Sequence, residues 1–236
     1  MNSSVTIADT SPRMTARIAG VLYLLIIVFG ISSEVFVRAS LVAAGDAAAT
    51  INNIMASDSL YRAGFVFDSI MLFSDVAIAV LFYVLLKPVN QTLALASAVF
   101  RLIQAAILAA NLLNYHAVLL LLNGNGVSVE SETVQSRVML LLGMHAHGYD
   151  LGLMFFAISN FILGYLLIKS KLFPAILGYG LQAAATVYLI GSYTRFMAPD
   201  FMLFIEPMYV IPLVAELSFC LWLLVKGIKT DRKMGV

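Results

Sequence analysis

The chain is expected to be all-α: a polytopic membrane protein with six transmembrane helices in one bundle and short amphipathic helices outside the membrane. Three observations predict this. Apolar runs of about twenty residues, the length that spans a hydrocarbon core, recur along the chain. Of the 236 residues 61% are hydrophobic. Only 11% are charged, against roughly 25% in soluble domains. The net charge of +1 offers no basic footprint for nucleic acid, so the expected partners are the lipid bilayer and a small molecule. One cysteine, Cys220, excludes an internal disulfide.

Residues 1–15 read as a flexible polar terminus, 16–228 as the membrane domain and 229–236 as a tail. Arg13 and Arg17 precede the first apolar run, Ile18–Val37, with Glu34 near its far end. The run is too long for a signal-peptide core and more follow, which predicts an uncleaved first span. Gly45-Asp46 and the following Ala47–Ala56 predict a short surface helix. Ser57-Asp58 offers a cap for a second span ending at Leu86. Pro88-Val89-Asn90-Gln91 turns the chain into a third, about Thr92–Leu122, which stops at Asn123-Gly124-Asn125-Gly126. Another helix starting at Ser131-Glu132-Thr133 and running to Met144 is expected to lead through His145–Asp150 into a fourth span over about Gly148–Ile168. A fifth covers about Phe173–Met197 and is broken at Ala198-Pro199-Asp200. The sixth covers about Pro207–Ile228, with Pro207 tolerated in its first turn and Pro212 a candidate kink.

Lysine and arginine set the orientation. With six spans, Arg13, Arg17, Lys87, Lys169, Lys171, Lys226, Lys229, Arg232 and Lys233 share a side with both termini. Only Arg38, Arg62, Arg137 and Arg195 fall opposite, among the acids Asp46, Asp58, Glu130, Glu132, Asp200 and Glu206. Both termini are therefore expected in the cytoplasm.

The informative residues are the costly ones. Asp75 lies twelve residues before Lys87, and Arg101 twelve after Val89. At 1.5 Å per residue each is about 18 Å from the same interface, near mid-bilayer. A lone charge there costs at least about 2.5–3.5 kcal/mol, so an Asp75–Arg101 ion pair is expected. Asp68 shares a helix face with Asp75 at a spacing of two turns, and Gln104, Asn111 and Asn114 share one with Arg101. Glu216, ten residues before Lys226, reaches a similar depth. One cation between two carboxylates suits a proton-coupled carrier or a cation site; the bland alternative is a static network that fixes the bundle.

Glu34, Asp68, Asn111, Asn114, His116, His147 and Asp150 gather nearer the outer face. His147 and Asp150, three apart, have the spacing of two metal ligands, with His116 a third candidate. No His-x-x-x-His or His-Glu-x-x-His stands in the sequence, so the zinc signal is weak. Gly148 and Gly152 form a small-xxx-small pair that permits close helix approach.

The endings Tyr83–Lys87, Tyr165–Lys169 and Trp222–Lys226 echo one another. Asp68 and Asp150 each precede such a lysine by nineteen residues. Gln104 with Tyr115 recurs as Gln182 with Tyr193 at equal spacing. Either an ancient repeat of hairpins or the ordinary demands of membrane interfaces explains this.

The stretches Ala16-Arg17-Ile18-Ala19-Gly20, Val84-Leu85-Leu86-Lys87-Pro88-Val89-Asn90, Phe100-Arg101-Leu102-Ile103-Gln104, His147-Gly148-Tyr149-Asp150-Leu151-Gly152 and Glu216–Gly227 together resemble a bacterial integral-membrane family catalogued as domain of unknown function 4386. The resemblance spans about Arg13 to Gly227. It implies a six-helix bacterial membrane protein and implies no activity; a place in the inner membrane, with both termini cytoplasmic, is the expectation.

The leading functional expectation is an intramembrane polar pocket that binds or transports a small polar or amphiphilic molecule. Asp68, Asp75, Arg101, Gln104, Asn111, Glu216 and Glu34 are its candidate ligands. It should open outward among spans one to four and six, with Asp75, Arg101 and Glu216 at its floor. The alternatives are a metal-dependent intramembrane hydrolase using His116, His147 and Asp150, and a non-catalytic subunit of a larger complex. Six helices are few for a carrier, so a homodimer is plausible.

Overall fold

A computed structural model describes residues 11–124 and 131–228. Residues 1–10 of the expected N-terminal stretch 1–15, the breaker residues Asn125 and Gly126, Glu130 and the tail 229–236 lie outside the described residues. Among the described residues there is no strand, and six helices are long and apolar enough to cross a membrane. The protein is an all-α, multi-pass membrane protein.

The first span, α1, covers Pro12–Leu41, longer at both ends than the apolar run. Ser11 caps it by accepting from the Met14 amide, with Pro12 in the first turn. At the other end Ser32–Arg38 widens into a π-helical turn. Such turns insert a residue and re-aim side chains; here Arg38 points inward and finds acidic partners. The short helix α2, Ala47–Ala56, starts where Asp46 accepts from the Ala49 amide at 2.8 Å and buries Ile51 and Ile54.

Spans α3, Asp58–Leu86, and α4, Gln91–Leu122, form the expected hairpin. Asn90 caps α4 through the Leu93 amide at 2.9 Å. Ser57 makes no side-chain cap to α3; Asp58 instead pairs with Arg62 one turn on, at 2.7 Å. In span α5 the helix from Glu132 and the fourth span are continuous: Glu132–Ser170 is one unbroken helix of 39 residues. Gly148 and Gly152, the small-xxx-small pair, face α4 at close range. A Cβ on Gly148 would strike the Asn111 side chain, and one on Gly152 would meet Leu108 at 2.7 Å. At about 1.5 Å per residue α5 far exceeds a 30 Å hydrocarbon core. Its first turns pack with α2 in a distal cluster of Val37, Ile51, Ile54, Tyr61, Tyr115 and Val138.

Span α6, Ala175–Met197, follows Pro174. The last span, α7, Pro199–Val225, begins earlier than expected. Its first part alternates 3₁₀ and α turns, and it is regular only over Val210–Val225. Pro207 and Pro212 account for this, since each lacks a donor and crowds the carbonyl four residues back.

Each span packs on the next, and α7 closes back on α1. The resulting ring of six helices has a proximal half, where the first residues of α1 lie, and a distal half. In the proximal half α1 and α7 are in direct contact. Gly20 faces Leu223 and Leu224, Cys220 Sγ lies 3.5 Å from the Gly20 carbonyl, and Tyr23 meets Phe219 edge-on. Tyr23, Phe82, Phe173 and Phe219 fill the interior there with ring contacts of 5.7–6.4 Å. In the distal half Tyr61 and Tyr115 stack at 4.0 Å, and each hydroxyl donates to the other's backbone carbonyl.

Candidate functional site

The polar residues of the interior sit at the level where the aromatic plug ends. Arg101 on α4 faces Asp75 on α3, with Nε at 2.9 Å and Nη2 at 2.6 Å from Oδ1. The helix rise places both twelve residues from the same turn, so the hairpin itself aligns them. Both are essentially buried. Gln104, three residues after Arg101 on the same face, donates to the second oxygen of Asp75 at 3.3 Å. The guanidinium also lies 4.8 Å from the Phe156 ring centre and 5.7 Å from that of Tyr23, a placement favourable for a cation.

Glu216 does not touch Arg101. Asn160 on α5 joins them: its Nδ2 donates to Glu216 Oε1 at 3.0 Å, and its Oδ1 lies 3.5 Å from Arg101 Nη1. The Tyr188 hydroxyl, from α6, also donates to Glu216. A chain of contacts thus runs from Gln104 through Asp75, Arg101 and Asn160 to Glu216 and Tyr188, crossing five of the six spans with Tyr23 of α1 beneath it. Among the described residues no basic side chain forms an ion pair with Glu216, and no donor reaches the buried Gln104 Oε1.

Above this floor opens a cavity of about 420 Å³, within the range of small-molecule sites. All six spans line it, α6 included, which extends the expected set. Asp75, Gln104 and Glu216 lie at its base, Tyr149, Phe156, Tyr188 and Tyr209 on its walls, and Glu34 at its rim. Toward the bilayer the walls are Ile27, Ile31, Val35 and Leu213. The cavity exists because α1 and α7 touch in the proximal half and part distally, where the π turn of α1 and the proline-interrupted start of α7 stand.

The remaining candidates are placed elsewhere. Arg101 lies behind the floor, and Asp68 and Asn111 do not line the cavity. Asp68 pairs with Arg38 Nη1 at 2.7 Å. Arg38 also bonds Glu34 at 2.7 Å and Ser33 at 2.8 Å, and lies 5.7 Å above the Tyr149 ring. Asn111 donates to the His145 carbonyl at 2.7 Å and accepts from Asn114, tying α4 to α5.

His116, His147 and Asp150 are not brought together. His116 lies against the Phe65 ring, and His147 bonds the Gly143 carbonyl and meets Phe196. Asp150 pairs with Arg195 of α6 and accepts from Ser192. A helix face shared by His147 and Asp150 does not converge them, because each has a nearer partner. Among the described residues no group of three or more His, Cys, Asp or Glu side chains is close enough to hold a metal ion. The suggested repeat is likewise uneven. Asp68 and Asp150 each meet an arginine, but Gln104 reaches the polar floor whereas Gln182 packs on Gly164.

Asn160, Tyr188, Tyr149 and Arg38 escaped sequence reasoning. Asn160 carried a usable signal, an amide within an apolar span, where polar groups are costly. Arg38 stood four residues after Glu34, the spacing of a helical ion pair, but entered only the count of basic residues that sets the orientation. The tyrosines resemble any aromatic belt.

The sequence profile of the family described as Domain of unknown function (DUF4386) matches residues 18–227. An uncharacterized protein of Archaeoglobus fulgidus is 29% identical over 155 residues, covering 66% of this chain and 78% of its own. No solved structure matches.

Proposed function

The chain belongs to the family of this domain of unknown function, and we propose that it binds a small polar or amphiphilic molecule in the distal cavity, as a receptor or as one state of a carrier. The observation that carries this reading is the position of the polar chain. Its groups are buried at considerable cost, and three of them, Asp75, Gln104 and Glu216, border open space instead of packed side chains. A network that only fixed helix geometry would satisfy all its atoms internally, yet Gln104 Oε1 has no donor among the described residues. Below the floor the plug around Tyr23, Phe82 and Phe219 closes the path. A carrier would have to part those rings to release its load on the proximal side.

The test is native mass spectrometry of the full chain purified in mild detergent. Wild-type protein is expected to retain a small molecule or lipid. Leu153→Trp, which fills the cavity from α5, is expected to lose it while keeping a cooperative unfolding transition. Equal retention by both proteins, or none by either, overturns the reading.

The distribution of lysine and arginine supports cytoplasmic termini in a plasma membrane, with the cavity facing outward. A reporter fused after Val236 should read cytoplasmic and one inserted at Gly124 external. The reverse pattern overturns this orientation and turns the cavity toward the cytoplasm.

A further inference from the structure

We propose that the cavity takes an amphiphilic amine: a primary ammonium head on an apolar tail. This inference rests on the cavity being a binding site and names the chemistry it selects. Three observations lead to it.

The first is charge. The carboxylates at the cavity base are Asp75 and Glu216, and the one guanidinium among them, Arg101, is committed to Asp75. At the rim Glu34 lines the space, and its partner Arg38 is shared with Asp68, which stands behind the lining. Both ends of the space are thus richer in carboxylate than in cation, so an anionic head would be repelled and a cationic one attracted.

The second is the inventory of hydrogen-bonding atoms. Gln104 is only 2% exposed. Its amide nitrogen is held by Asp75, which turns Oε1 away from that partner with no donor among the described residues. Asn160 and Tyr188 both present donors to Glu216 and so fix a carboxylate that has no cationic partner. The side chains lining the base thus offer mainly acceptors, from Asp75, Glu216 and Gln104 Oε1, while the hydroxyl donors Tyr149 and Tyr209 stand on the walls. An ammonium group has three donors and no acceptor, the complement of this arrangement; a hydroxyl brings only one donor, and a carboxylate none.

The third is the walls. Phe156, Tyr188 and Tyr209 form a run of edge-to-face rings, with centroids 5.5 and 5.8 Å apart, bordering Glu216. Aromatic faces attract organic cations. A small hydrated metal cation would gain nothing from Ile27, Ile31 and Leu213, which continue from these rings toward the bilayer. Ile31 and Leu213 are 40% and 45% exposed, so an alkyl tail leaving the cavity between α1 and α7 would lie against apolar side chains and lipid.

The test uses the full chain in a maltoside detergent at neutral pH, with the unfolding midpoint followed against probe concentration. The probes are octylamine, octanol, octanoate, methylamine and sodium chloride. Octylamine alone is expected to raise the midpoint of wild-type protein strongly and saturably. Its half-saturating concentration should rise about tenfold or more in Glu216→Gln, the size of one lost hydrogen bond to a charged group. Gln104→Met, nearly isosteric, should show the same direction and decides the matter if Glu216→Gln does not fold. Octanol acting as well as octylamine, with both effects lost in Leu153→Trp, would overturn the amine and leave the cavity reading standing. Stabilisation by sodium chloride equal to that by octylamine would assign an inorganic cation instead. Identical octylamine shifts in wild type and every variant would mean a micelle effect and overturn the proposal, while the mass spectrometric comparison judges the cavity separately.

Discussion

Arg101→Leu is expected to destabilise the protein by about 3–5 kcal/mol, the range for breaking a buried ion pair from one side. The variant leaves Asp75 with only the Gln104 amide as partner and, among the described residues, no other cation in ion-pair contact. It also removes the cation packed against Phe156 and Tyr23. Asp75→Leu should cost a similar amount, because Arg101 would retain only the 3.5 Å contact with Asn160 and the two rings. Glu216 cannot replace Asp75 without moving, since Asn160 and Tyr188 hold it. The double variant Asp75→Leu/Arg101→Leu should recover most of the loss, because an apolar pair of similar volume removes the desolvation cost of both charges. Unfolding in mixed micelles with sodium dodecyl sulfate measures all three. Strictly additive losses would show that the two charges do not depend on each other.

The second large effect lies away from the polar groups, where α5 crosses α6. A Cβ on Gly178 would lie 2.5 Å from the Gly164 carbonyl oxygen and 2.6 Å from Ile168 Cγ1; one on Gly164 would lie 2.5 Å from the Gly178 carbonyl oxygen. The obstacle is backbone on both sides, so no rotamer change relieves it and the helices must separate. Gly178→Val is expected to cost about 3 kcal/mol, the upper end of ordinary overpacking. Gly143→Ala is the contrast: nothing stands within 4 Å of its added Cβ, and it should stabilise α5 by up to about 1 kcal/mol through helix propensity. The same unfolding assay compares them. If Gly178→Val matches Gly143→Ala, the close crossing of α5 and α6 is wrong.

Several features of this protein were determined by the sequence alone, because each depends on local chemistry or on the bilayer as solvent. Apolar length fixed the existence and order of the spans. Asp46 marked a helix start, since a side-chain oxygen placed before a helix can satisfy a free amide wherever the helix later packs. The Asp75–Arg101 meeting was legible because a short turn forces two adjacent helices antiparallel, so equal distances from the turn become equal depths. Other features were decided only by tertiary structure. The pair Gly148 and Gly152 signalled a close approach, but that Asn111 and Leu108 of α4 are the side chains against them followed from which helix lies alongside. His147 and Asp150 had the spacing of a ligand pair, but Arg195, 45 residues later in the chain, competes for Asp150. Asn160 became the bridge to Glu216 because α5 lies between α4 and α6 in the ring, which apolar periodicity does not encode. The cavity arose the same way. It lies where the distal parts of α1 and α7 diverge, and that divergence depends on which helices close the ring, because the space between two helices is a property of neither sequence taken singly.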